Sequence, residues 1–554
     1  MSRTTPFGPF VLLVLLALAV PTGAVARQGG LPHALPPAAA AAAAARVAGA
    51  ARAPAPLPAR WLVAARPSRA TARIARAHGA RPLALRGAYV VATPRARAFA
   101  RALGARLRYS EPDAALRRAS AYEGPGTDPA GWARGAVVAP GLVAPAAFAP
   151  VGIVDDVVDT RVADVGQAKV IAASPVKTLA AARAAAVAHG DDPDAVGHGT
   201  EVASVAAGRA DGQGVVGIAP GAPLLSYGYK ELSCAEVSDG ILSLADAGAK
   251  VVNLSFDADE NCHTLALATA AAFGDGVLLV AAAGNELRPG HDPVVYPAAY
   301  PHVVTVGALD LGLAHASFSS TGPGLDLAAP GAAVPVAVPP ALDLDGTADG
   351  TTRGYGTSFA APIVSGVASW LIAARPKLQP DQYAGLLRAT AKDVAPAGWD
   401  GGTGFGLVDL AAALAAPAPA ADRGEPNDTV DEVDGTAFDR PDPYAHGRVA
   451  ASVDPAEDPA DVYRVRVAAH GRVTARLRPS TAANADLYAY SGAARSLAAR
   501  PLARSREAGR ATDAITLRNP TNKARTRYVA VRAPAAPAAR RTLGTPYVLT
   551  LSAG

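Results

Sequence analysis

Cysteine and aromatic residues are scarce in this chain of 554 residues, which holds two cysteines and 5% aromatic side chains. So few cysteines exclude a small scaffold that depends on many disulfides. Half of the residues are hydrophobic and 18% are charged, a composition that excludes a disordered chain. The 54 glycines and 48 prolines follow no collagen-like period. The chain is therefore long and apolar enough for about three or four folded domains.

A strong excess of charge is also absent, since 52 Lys and Arg residues stand against 47 Asp and Glu residues, a net charge of +5. This balance gives no reason to expect a nucleic-acid or membrane partner. The charge is nevertheless unevenly spread. Residues 27–118 hold 17 arginines, no lysine and two acids (net +15), whereas residues 119–421 hold 14 basic and 30 acidic residues (net −16). Opposite charges of this size predict that the two segments attract each other, and the alternative is that both sets are simply solvated.

A hydrophobic run at residues 10–20 is too short to span a bilayer, because a transmembrane helix needs about 20 apolar residues. Arg3 precedes the run and the small residues Ala24-Val25-Ala26 follow it, as in a signal peptide with its cleavage site. We therefore predict a signal peptide over residues 1–26, a secreted protein that is extracellular or at the cell surface, and no stable membrane span. An uncleaved anchor is the alternative.

The two cysteines, Cys234 and Cys262, are a candidate disulfide pair. Export would place them in an oxidising compartment, where a single bridge can form. Two free buried thiols are the alternative, because the sequence alone does not show that the side chains meet.

The rest of the chain divides by composition into five segments. Residues 27–58 are rich in alanine and proline and form a low-complexity spacer. Strand-like runs alternate with helix-prone runs over residues 59–118, which predicts a small α+β unit. Over residues 119–414, apolar β-branched runs alternate with alanine-rich helical segments, a pattern of parallel strands joined by crossover helices. A Pro/Ala linker at residues 415–424 leads to residues 425–554, where short alternating segments predict an antiparallel β-sandwich.

Three short segments each offer a reactive side chain at a strand end or a helix start. Asp155 ends an apolar strand, and the carboxyl ends of strands carry the functional groups of open α/β sheets. His198 opens a helix-like run, and Ser358 lies among small residues at the head of a long apolar helix. Taken singly, the acid is typical of a turn, the histidine of a structural position and the serine of a helix N-cap. Together they supply the nucleophile, the base and the carboxylate that acyl transfer needs.

In this chain order, the segments Asp155, Gly197-His-Gly-Thr200 and Gly356-Thr-Ser-Phe-Ala-Ala-Pro362 resemble the subtilisin-like serine peptidases, or subtilases. Val303-Val-Thr-Val-Gly-Ala308 resembles a framework segment of that family, and the resemblance covers about residues 120–415. It implies an α/β fold with a doubly wound, mostly parallel sheet and helices on both faces. It also implies a serine endopeptidase that hydrolyses peptide bonds through an acyl-enzyme.

The resemblance implies that Ser358 is the nucleophile, His198 the general base and then the general acid, and Asp155 the partner of the histidine. The position after Asp155 departs from the family, since Asp156 stands where subtilases usually have Ser or Thr. Asp156 and Asp159 therefore remain alternatives for the carboxylate.

The resemblance also implies an oxyanion hole and a substrate cleft. Asn285 follows an apolar strand and matches the asparagine that donates to the developing oxyanion, although taken alone it would be a turn residue. Ser255 and Phe256 resemble the segment that lines the cleft and are the predicted substrate-binding residues. Asp257 and Ala258 replace the glycines that often follow, which leaves the substrate preference open.

Evidence for a metal site is weak in the sequence. Acid-rich stretches at residues 191–194 and 343–349 could hold calcium, but neither follows a complete calcium-loop pattern, and solvated loops are the favoured interpretation. The resemblance implies that the chemistry requires no cofactor and that structural calcium is possible.

Both flanking segments carry resemblances of their own. Residues 59–118 resemble the prosegment of secreted subtilases, which folds on the cleft as an intramolecular inhibitor and is then cut away. The chain would then be an autoprocessed prepro-enzyme whose partners are its own prosegment and protein or peptide substrates. Residues 425–554 resemble the bacterial pre-peptidase C-terminal domain.

Two other functions fit parts of the sequence. A catalytically silent surface-binding protein could keep the same fold, although the intact set of polar residues argues against it. An esterase would also use a serine triad, but its nucleophile elbow reads G-x-S-x-G, and Gly356-Thr-Ser-Phe-Ala360 does not match.

Overall fold

The computed structural model describes most of the chain from residue 60 onward. The predicted signal peptide (1–26) and spacer (27–58) lie outside the described residues. The described residues are 60–118, 121–123, 131–171, 173–189, 196–285, 294–343, 347, 349–394, 396–422, 424–435, 438, 441–480, 484–509, 511–533 and 543–554.

A small α+β unit occupies the N-terminal part of the described chain. Its four strands form an antiparallel sheet in the order β2-β3-β1-β4. Because side chains alternate along a strand, Val63 and Val91 pack with the two helices, whereas Leu62 and Val90 pack against the central unit. The predicted small α+β unit is confirmed. Its elements are β1 (Arg60–Ala65), α1 (Arg69–Ala77), β2 (Arg81–Pro82), β3 (Ala88–Ala92), α2 (Thr93–Leu103) and β4 (Leu107–Pro112).

Two small antiparallel sheets join this unit to the rest of the chain. In the first, β5 (Arg117–Arg118) pairs with β11 (Phe256–Asp257). In the second, β6 (Ala121–Glu123) pairs with β16 (Thr351–Tyr355), which also pairs with β15 (Val334–Ala337). The segment after the α+β unit is therefore held at two places on the central unit.

A seven-stranded sheet forms the centre of the molecule. All of its strands are parallel, in the order β14-β13-β12-β10-β7-β9-β8. Most of them are short buried runs of Val, Leu and Ala, as expected of a parallel sheet that is covered on both faces. The predicted parallel sheet is confirmed. Its strands are β7 (Val151–Asp155), β8 (Lys169–Val170), β9 (Leu224–Gly228), β10 (Val251–Leu254), β12 (Leu278–Ala282), β13 (Val303–Leu309) and β14 (Leu327–Pro330).

Helices pack on both faces of this sheet. The helices of the central unit are α3 (Trp132–Val137), α4 (Leu179–His189), α5 (His198–Ala207), α6 (Cys234–Asp246), α7 (His263–Gly274), α8 (Thr357–Ala374), α9 (Pro380–Thr390) and α10 (Leu410–Ala415). Leu279 and Ala281 of β12 pack in the cluster that contains α6 and α7, whereas Val280 and Ala282 pack in the cluster that contains α8. Within the described chain, α8 alone is long and apolar enough to cross a membrane, and 89% of its apolar window is buried inside the protein.

Two four-stranded antiparallel sheets follow, in the orders β17-β24-β19-β22 and β18-β23-β20-β21. Side chains from both sheets share one core, in which Val465 and Val529 of one sheet pack with Leu477 and Leu549 of the other. The predicted antiparallel sandwich is confirmed. The elements are α11 (Val430–Val433), β17 (Gly447–Val453), β18 (Ala460–Val467), β19 (Arg472–Pro479), β20 (Asp486–Ser491), β21 (Ala503–Ser505), β22 (Asp513–Arg518), β23 (Arg525–Arg532) and β24 (Thr545–Ala553).

The candidate disulfide is not formed in the structure, where Cys234 and Cys262 are both free and buried. They lie at the N-terminal ends of α6 and α7. The Cys262 thiol lies 3.7 Å from Glu111 Oε1 of β4. Burial, followed by interaction with Cys234, raises the pKa of Cys262 well above its usual value, which favours the neutral thiol.

Candidate active site

Polar side chains meet at the carboxyl edge of the central sheet. β7 ends at Asp155, Ser255 directly follows β10, and Asn285 lies shortly after β12. These three parallel strands are neighbours, so their carboxyl ends lie side by side. Hydrogen bonds join His198 and Ser358, at the starts of α5 and α8, to the same edge.

His198 and Asp155 form a buried pair. Asp155 Oδ2 and Oδ1 lie 2.9 Å and 3.1 Å from His198 Nδ1, and each side chain is 2% exposed. The carboxylate accepts a hydrogen bond from Nδ1, so Nε2 is the nitrogen that can take up a proton. Gly199 permits this close approach, because a Cβ at that position would lie 2.6 Å from Val157 O and 3.0 Å from Asp155 Cβ.

The two alternative carboxylates have other partners. Asp156 accepts hydrogen bonds at 2.6 Å and 2.9 Å from backbone N–H groups at the start of α5. It thereby fixes the helix start that carries His198, where the helix dipole favours an anion. Asp159 is hydrogen-bonded to Arg161, which lowers the pKa of Asp159. Of the three acids, Asp155 is the one that contacts the imidazole.

A proline shapes the helix turn that carries Ser358. α8 begins at Thr357 after Gly356, whose φ of 140° suits glycine. Pro362 lies inside this helix and has no N–H to donate to the Ser358 carbonyl four residues earlier. The Ser255 hydroxyl donates to that carbonyl instead, at 2.8 Å. The end of β10 is thus tied directly to the first turn of α8.

Ser358 lies in the helix turn that packs against the imidazole, next to Phe359. Phe359, the next residue, packs edge-on against the His198 ring, with 5.7 Å between the ring centroids. Ser358 Oγ donates to the Ser255 carbonyl at 3.0 Å. His198 Nε2 is buried and has no hydrogen-bond partner within the described part of the chain. A buried nitrogen without a partner is costly, so the site favours a hydroxyl that turns toward Nε2.

Asn285 is held by the residue before Ser358. Its Oδ1 accepts from the Thr357 N–H at 2.9 Å and from Thr357 Oγ1 at 3.0 Å. Both Thr357 groups donate, so the amide atom that they contact is the oxygen. The NH₂ group is therefore at the other end of the Asn285 amide. A fixed donor at this position is what an oxyanion hole requires.

The predicted substrate-binding segment pairs with the chain's own N-terminal segment. Phe256 lies opposite Arg118, and Asp257 lies opposite Arg117, in the antiparallel pair of β11 and β5. β6 pairs with β16, which ends three residues before Ser358. The N-terminal segment therefore pairs first with the strand next to Ser255 and then with the strand that leads to Ser358.

The described residues of the two acid-rich stretches offer no cluster of ligands. Residues 191–194 lie outside the described residues. Asp343 and Asp349 accept hydrogen bonds from backbone N–H groups of their own loop, at 2.7 Å and 2.9 Å. Neither belongs to an acidic group among the residues that the structure describes.

A buried cluster that the sequence reasoning missed lies between the central unit and the sandwich. His302 Nε2 lies 2.8 Å from Asp428 Oδ2 and 3.0 Å from Glu425 Oε2. Burial lowers the pKa of His302, but the two acids outweigh this effect and raise it well above its usual value. Asp458 and Asp461 lie close to Glu425. The short spacing of these acids in the sequence is the signal that could have found them.

The fold is subtilisin-like α/β, with a parallel central sheet, and the carboxyl edge of that sheet brings together a serine, a histidine and an aspartate. Comparison with known proteins agrees: residues 149–406 match the Subtilase family. Fervidolysin from Fervidobacterium pennivorans is 38% identical over 245 residues, which cover 40% of this chain and 35% of fervidolysin. Subtilisin DY from Bacillus licheniformis is 33% identical over 227 residues, which cover 40% of this chain and 78% of that protein.

Subtilisin Savinase from Lederbergia lenta is similar to the same degree, with 35% identity over 228 residues and 78% of its length covered. The crystal structure of fervidolysin shares the fold, with a TM-score of 0.54, 21% identity, and coverage of 82% of this chain and 84% of that one. The sequence match spans only about a third of fervidolysin but most of the two subtilisins. The chain belongs to the subtilase family of subtilisin-like serine proteases.

Proposed function

We propose that this chain is a secreted serine endopeptidase that hydrolyses peptide bonds through an acyl-enzyme on Ser358. The observation that carries the proposal is the buried pair of His198 and Asp155, 2.9 Å apart, beside the helix start that holds Ser358. Membership of the subtilase family supports it.

The chemistry follows from these positions. His198 Nε2 accepts the Ser358 proton as Oγ attacks the carbonyl carbon, and Asp155 stabilises the imidazolium that forms. The Asn285 amide donates to the oxyanion of the tetrahedral intermediate. The imidazolium then protonates the leaving amine, and water repeats the sequence to release the acid. These residues supply every proton transfer that the reaction needs, so we propose no cofactor for the chemistry.

We propose further that residues 59–118 are an intramolecular inhibitor. Glu111 accepts hydrogen bonds from the first N–H groups of α7, His263 N at 3.0 Å and Thr264 N at 2.8 Å. Asp113 accepts from Ala235 N of α6 at 3.0 Å. Two carboxylates of the small unit thus cap two helices of the central unit, where helix dipoles favour anions.

Ion pairs reinforce this contact. Arg60 of the small unit lies 2.7 Å from Glu231 of the central unit and 2.9 Å from Asp113 of its own unit. Arg81 lies 2.9 Å from Asp239, whose other oxygen accepts from a backbone N–H of the small unit at 2.6 Å. The opposite net charges of the two segments act in the same direction.

Autoprocessing is proposed for the segment that follows. Arg117–Arg118 pairs with the strand that directly follows Ser255, and Ala121–Glu123 pairs with the strand that leads to Ser358. We propose that the first cut falls between Arg118 and Ala121. Export under the signal peptide of residues 1–26, followed by this cut, would make the chain a prepro-enzyme. The resemblance of residues 425–554 to a pre-peptidase C-terminal domain supports an accessory or processing module.

The test is a covalent probe for active serines, applied to the matured protein and followed by mass mapping of the labelled peptide. We expect the label on Ser358, and none on a Ser358→Ala variant. A label on another serine would refute the assignment. An unlabelled but folded protein would favour the catalytically silent binding protein instead.

A further inference from the structure

The outer face of one sandwich sheet carries arginines and no acid. In the sheet β17-β24-β19-β22, the inward side chains fill the shared core, so the alternate positions point to solvent. Five of these outward positions are exposed arginines, and we call this surface the arginine face: Arg448, Arg472, Arg476, Arg478 and Arg518. The other outward positions hold Ala, Pro, Ser, Thr and Val. The one acid of these four strands, Asp513, points inward and is 0% exposed.

The register of the strands places the arginines close together. Arg472 lies directly opposite Arg518. Arg448 and Arg476 lie on either side of Thr550. Neighbouring strands are about 4.8 Å apart and alternate residues of one strand about 6.8 Å apart, so the charges form a compact array. Like charges directly opposite each other destabilise a sheet, and a negative group over the pair of Arg472 and Arg518 would therefore stabilise it.

The arginine face has no acidic partner in its own sheet. Within the described part of the chain, no ion pair includes any of its five arginines. The composition agrees, because residues 462–554 hold 17 basic and three acidic residues (net +14), whereas residues 425–461 hold two basic and 11 acidic residues (net −9). The acids of this part of the chain are concentrated at its start, which leaves the arginine face with a strong positive field.

We propose that the arginine face binds an acidic polysaccharide, a sugar polymer that carries carboxylate or sulfate groups. The planar guanidinium group donates two parallel hydrogen bonds to a carboxylate or a similar oxyanion. The exposed hydroxyls of Thr516, Thr550 and Ser552 lie among the arginines and can donate to, and accept from, the hydroxyls of a sugar. A polymer with many charges contacts several arginines at once, and these linked contacts raise its affinity.

The chemistry of the face argues against the other common polyanions. Single-stranded nucleic acid stacks its bases on aromatic side chains, and the outward positions of these strands hold none. The major groove of a double helix admits a helix or a two-stranded ribbon, whereas this face is four strands wide. Surface binding to a membrane buries large apolar side chains, and the outward apolar residues here are only Ala, Pro and Val.

The arginine face is separate from the candidate active site, since none of its residues belongs to that site. A bound polysaccharide would hold the chain on an anionic surface and leave the carboxyl edge of the central sheet open. The proposal therefore goes beyond the proposed function and does not depend on peptidase activity.

The test uses the full chain with Ser358→Ala and two acidic probes, heparin and polygalacturonate, with neutral dextran as the uncharged polymer. Binding is measured by titration calorimetry at several salt concentrations. We expect at least one acidic polymer to bind and dextran not to bind. Changing Arg472, Arg476 and Arg518 together to Gln should weaken this binding about tenfold. The triple variant should also depend less on salt, because fewer counterions are released. Its Tm should not fall, since like charges are removed.

Two matched controls remove the same charge elsewhere. One set lies on or beside β21 of the other sandwich sheet and the other on the small unit, and all are exposed arginines changed to Gln: Arg500, Arg504 and Arg506, and Arg73, Arg97 and Arg101. Both controls should bind the acidic polymer nearly as tightly as the parent. A loss in either control as large as in the triple variant would show that only net charge matters, and would overturn the proposal.

Other partners of the face are outcomes of the same test. A short DNA duplex and vesicles of phosphatidylglycerol are titrated at the same salt concentrations. If either binds more tightly than both acidic polysaccharides, the proposed class of ligand is wrong. The proposal also fails if neither acidic polymer binds, or if the chain forms a dimer that the triple variant abolishes, because a second copy would then be the partner.

Discussion

In the proposed mechanism Ser358 and His198 share one proton transfer, and we therefore expect their removal to be non-additive. Ser358→Ala and His198→Ala should each abolish nearly all peptide hydrolysis, and the double variant should be little worse than either. The rate is measured on the mature part, produced beside a separate prosegment so that maturation does not require activity. Ser369→Ala, farther along the same helix, is the control and keeps the triad. Losses that add up would argue against a shared mechanism.

Asn285 provides the second residue-level prediction. In the proposed mechanism the Asn285 amide donates to charge that develops only in the transition state, so Asn285→Ala should lower kcat by ~10²–10³ and change KM little. Steady-state rates on a peptide substrate measure both constants. A change confined to KM would show that the amide binds substrate rather than the oxyanion.

Single residues also show where sequence reasoning reaches its limit. Three acids lie within five positions at the end of β7. Their positions relative to the end of this strand and the start of α5 determine that Asp155 contacts His198, whereas Asp156 caps α5. The hydrogen bond from Ser255 to the Ser358 carbonyl joins positions 103 residues apart. Pro362 shows in the sequence that the Ser358 carbonyl lacks its helical donor, but it does not show that the Ser255 hydroxyl replaces that donor.

At the scale of elements, the caps on α6 and α7 carry the contact between the small unit and the central unit. Glu111 accepts from two N–H groups of α7 and from the Thr264 hydroxyl at 2.7 Å. Loss of a cap costs about 1 kcal/mol, so Glu111→Ala in the separated prosegment should weaken its inhibition of the mature enzyme about fivefold or more. Arg73→Gln, on the exposed side of α1, should change it little. An unchanged inhibition constant for Glu111→Ala would contradict the capping role.

The short helix α11 is expected to make stability depend on pH. Glu432 accepts from the Thr429 N–H at 2.7 Å, and burial, followed by Asp428, raises its pKa to about 8. An unfolded glutamate titrates near 4.3, so the folded chain holds a proton that the unfolded chain has lost between about pH 4.3 and 8. The stability from this group is therefore complete below about pH 4.3 and is lost as the pH rises through about 8.

Glu432→Gln removes this loss and keeps an oxygen that can accept from the Thr429 N–H. In the Ser358→Ala background, its advantage in unfolding free energy over the parent should grow by about 1.4 kcal/mol per pH unit between pH 5.5 and 8. Thermal unfolding at a series of pH values measures it. Glu507→Gln, at an exposed position, serves as the control. If the stability advantage of Glu432→Gln stays constant with pH, the Glu432 carboxyl does not hold a proton in the folded chain over this range.

Elements differ in how far their sequence predicts them. The strands of the central sheet are apolar runs buried on both faces, so composition alone identifies them. β5, β6 and β11 are two or three residues long and exist only because another segment pairs with them. The free thiols of Cys234 and Cys262 and the buried cluster around His302 depend on packing between distant elements, which no local pattern contains. The domain boundaries stay predictions.

At the scale of the whole molecule, the opposite net charges of residues 27–118 and 119–421 predict a salt effect. The association rate of the separated prosegment with the mature enzyme should fall steeply as salt rises, while dissociation changes less, because screening shortens the reach of exposed charges to about 8 Å at 0.15 M. Stopped-flow mixing at several salt concentrations measures both rates. Arg73→Gln with Arg97→Gln should flatten the slope, since both side chains are exposed. A rate independent of salt would mean that the charges are only solvated.

The pairing of residues 117–118 and 121–123 with strands next to Ser255 and Ser358 has a consequence for timing. While the chain is continuous, the small unit is held at an effective concentration in the millimolar range, so even a weak inhibitor would occupy the cleft. The proposed cut between Arg118 and Ala121 would turn this intramolecular contact into an ordinary bimolecular equilibrium, in which occupancy depends on total concentration. Near a producing cell the two fragments would remain together, and dilution would separate them. Distance from the source would then govern the onset of activity.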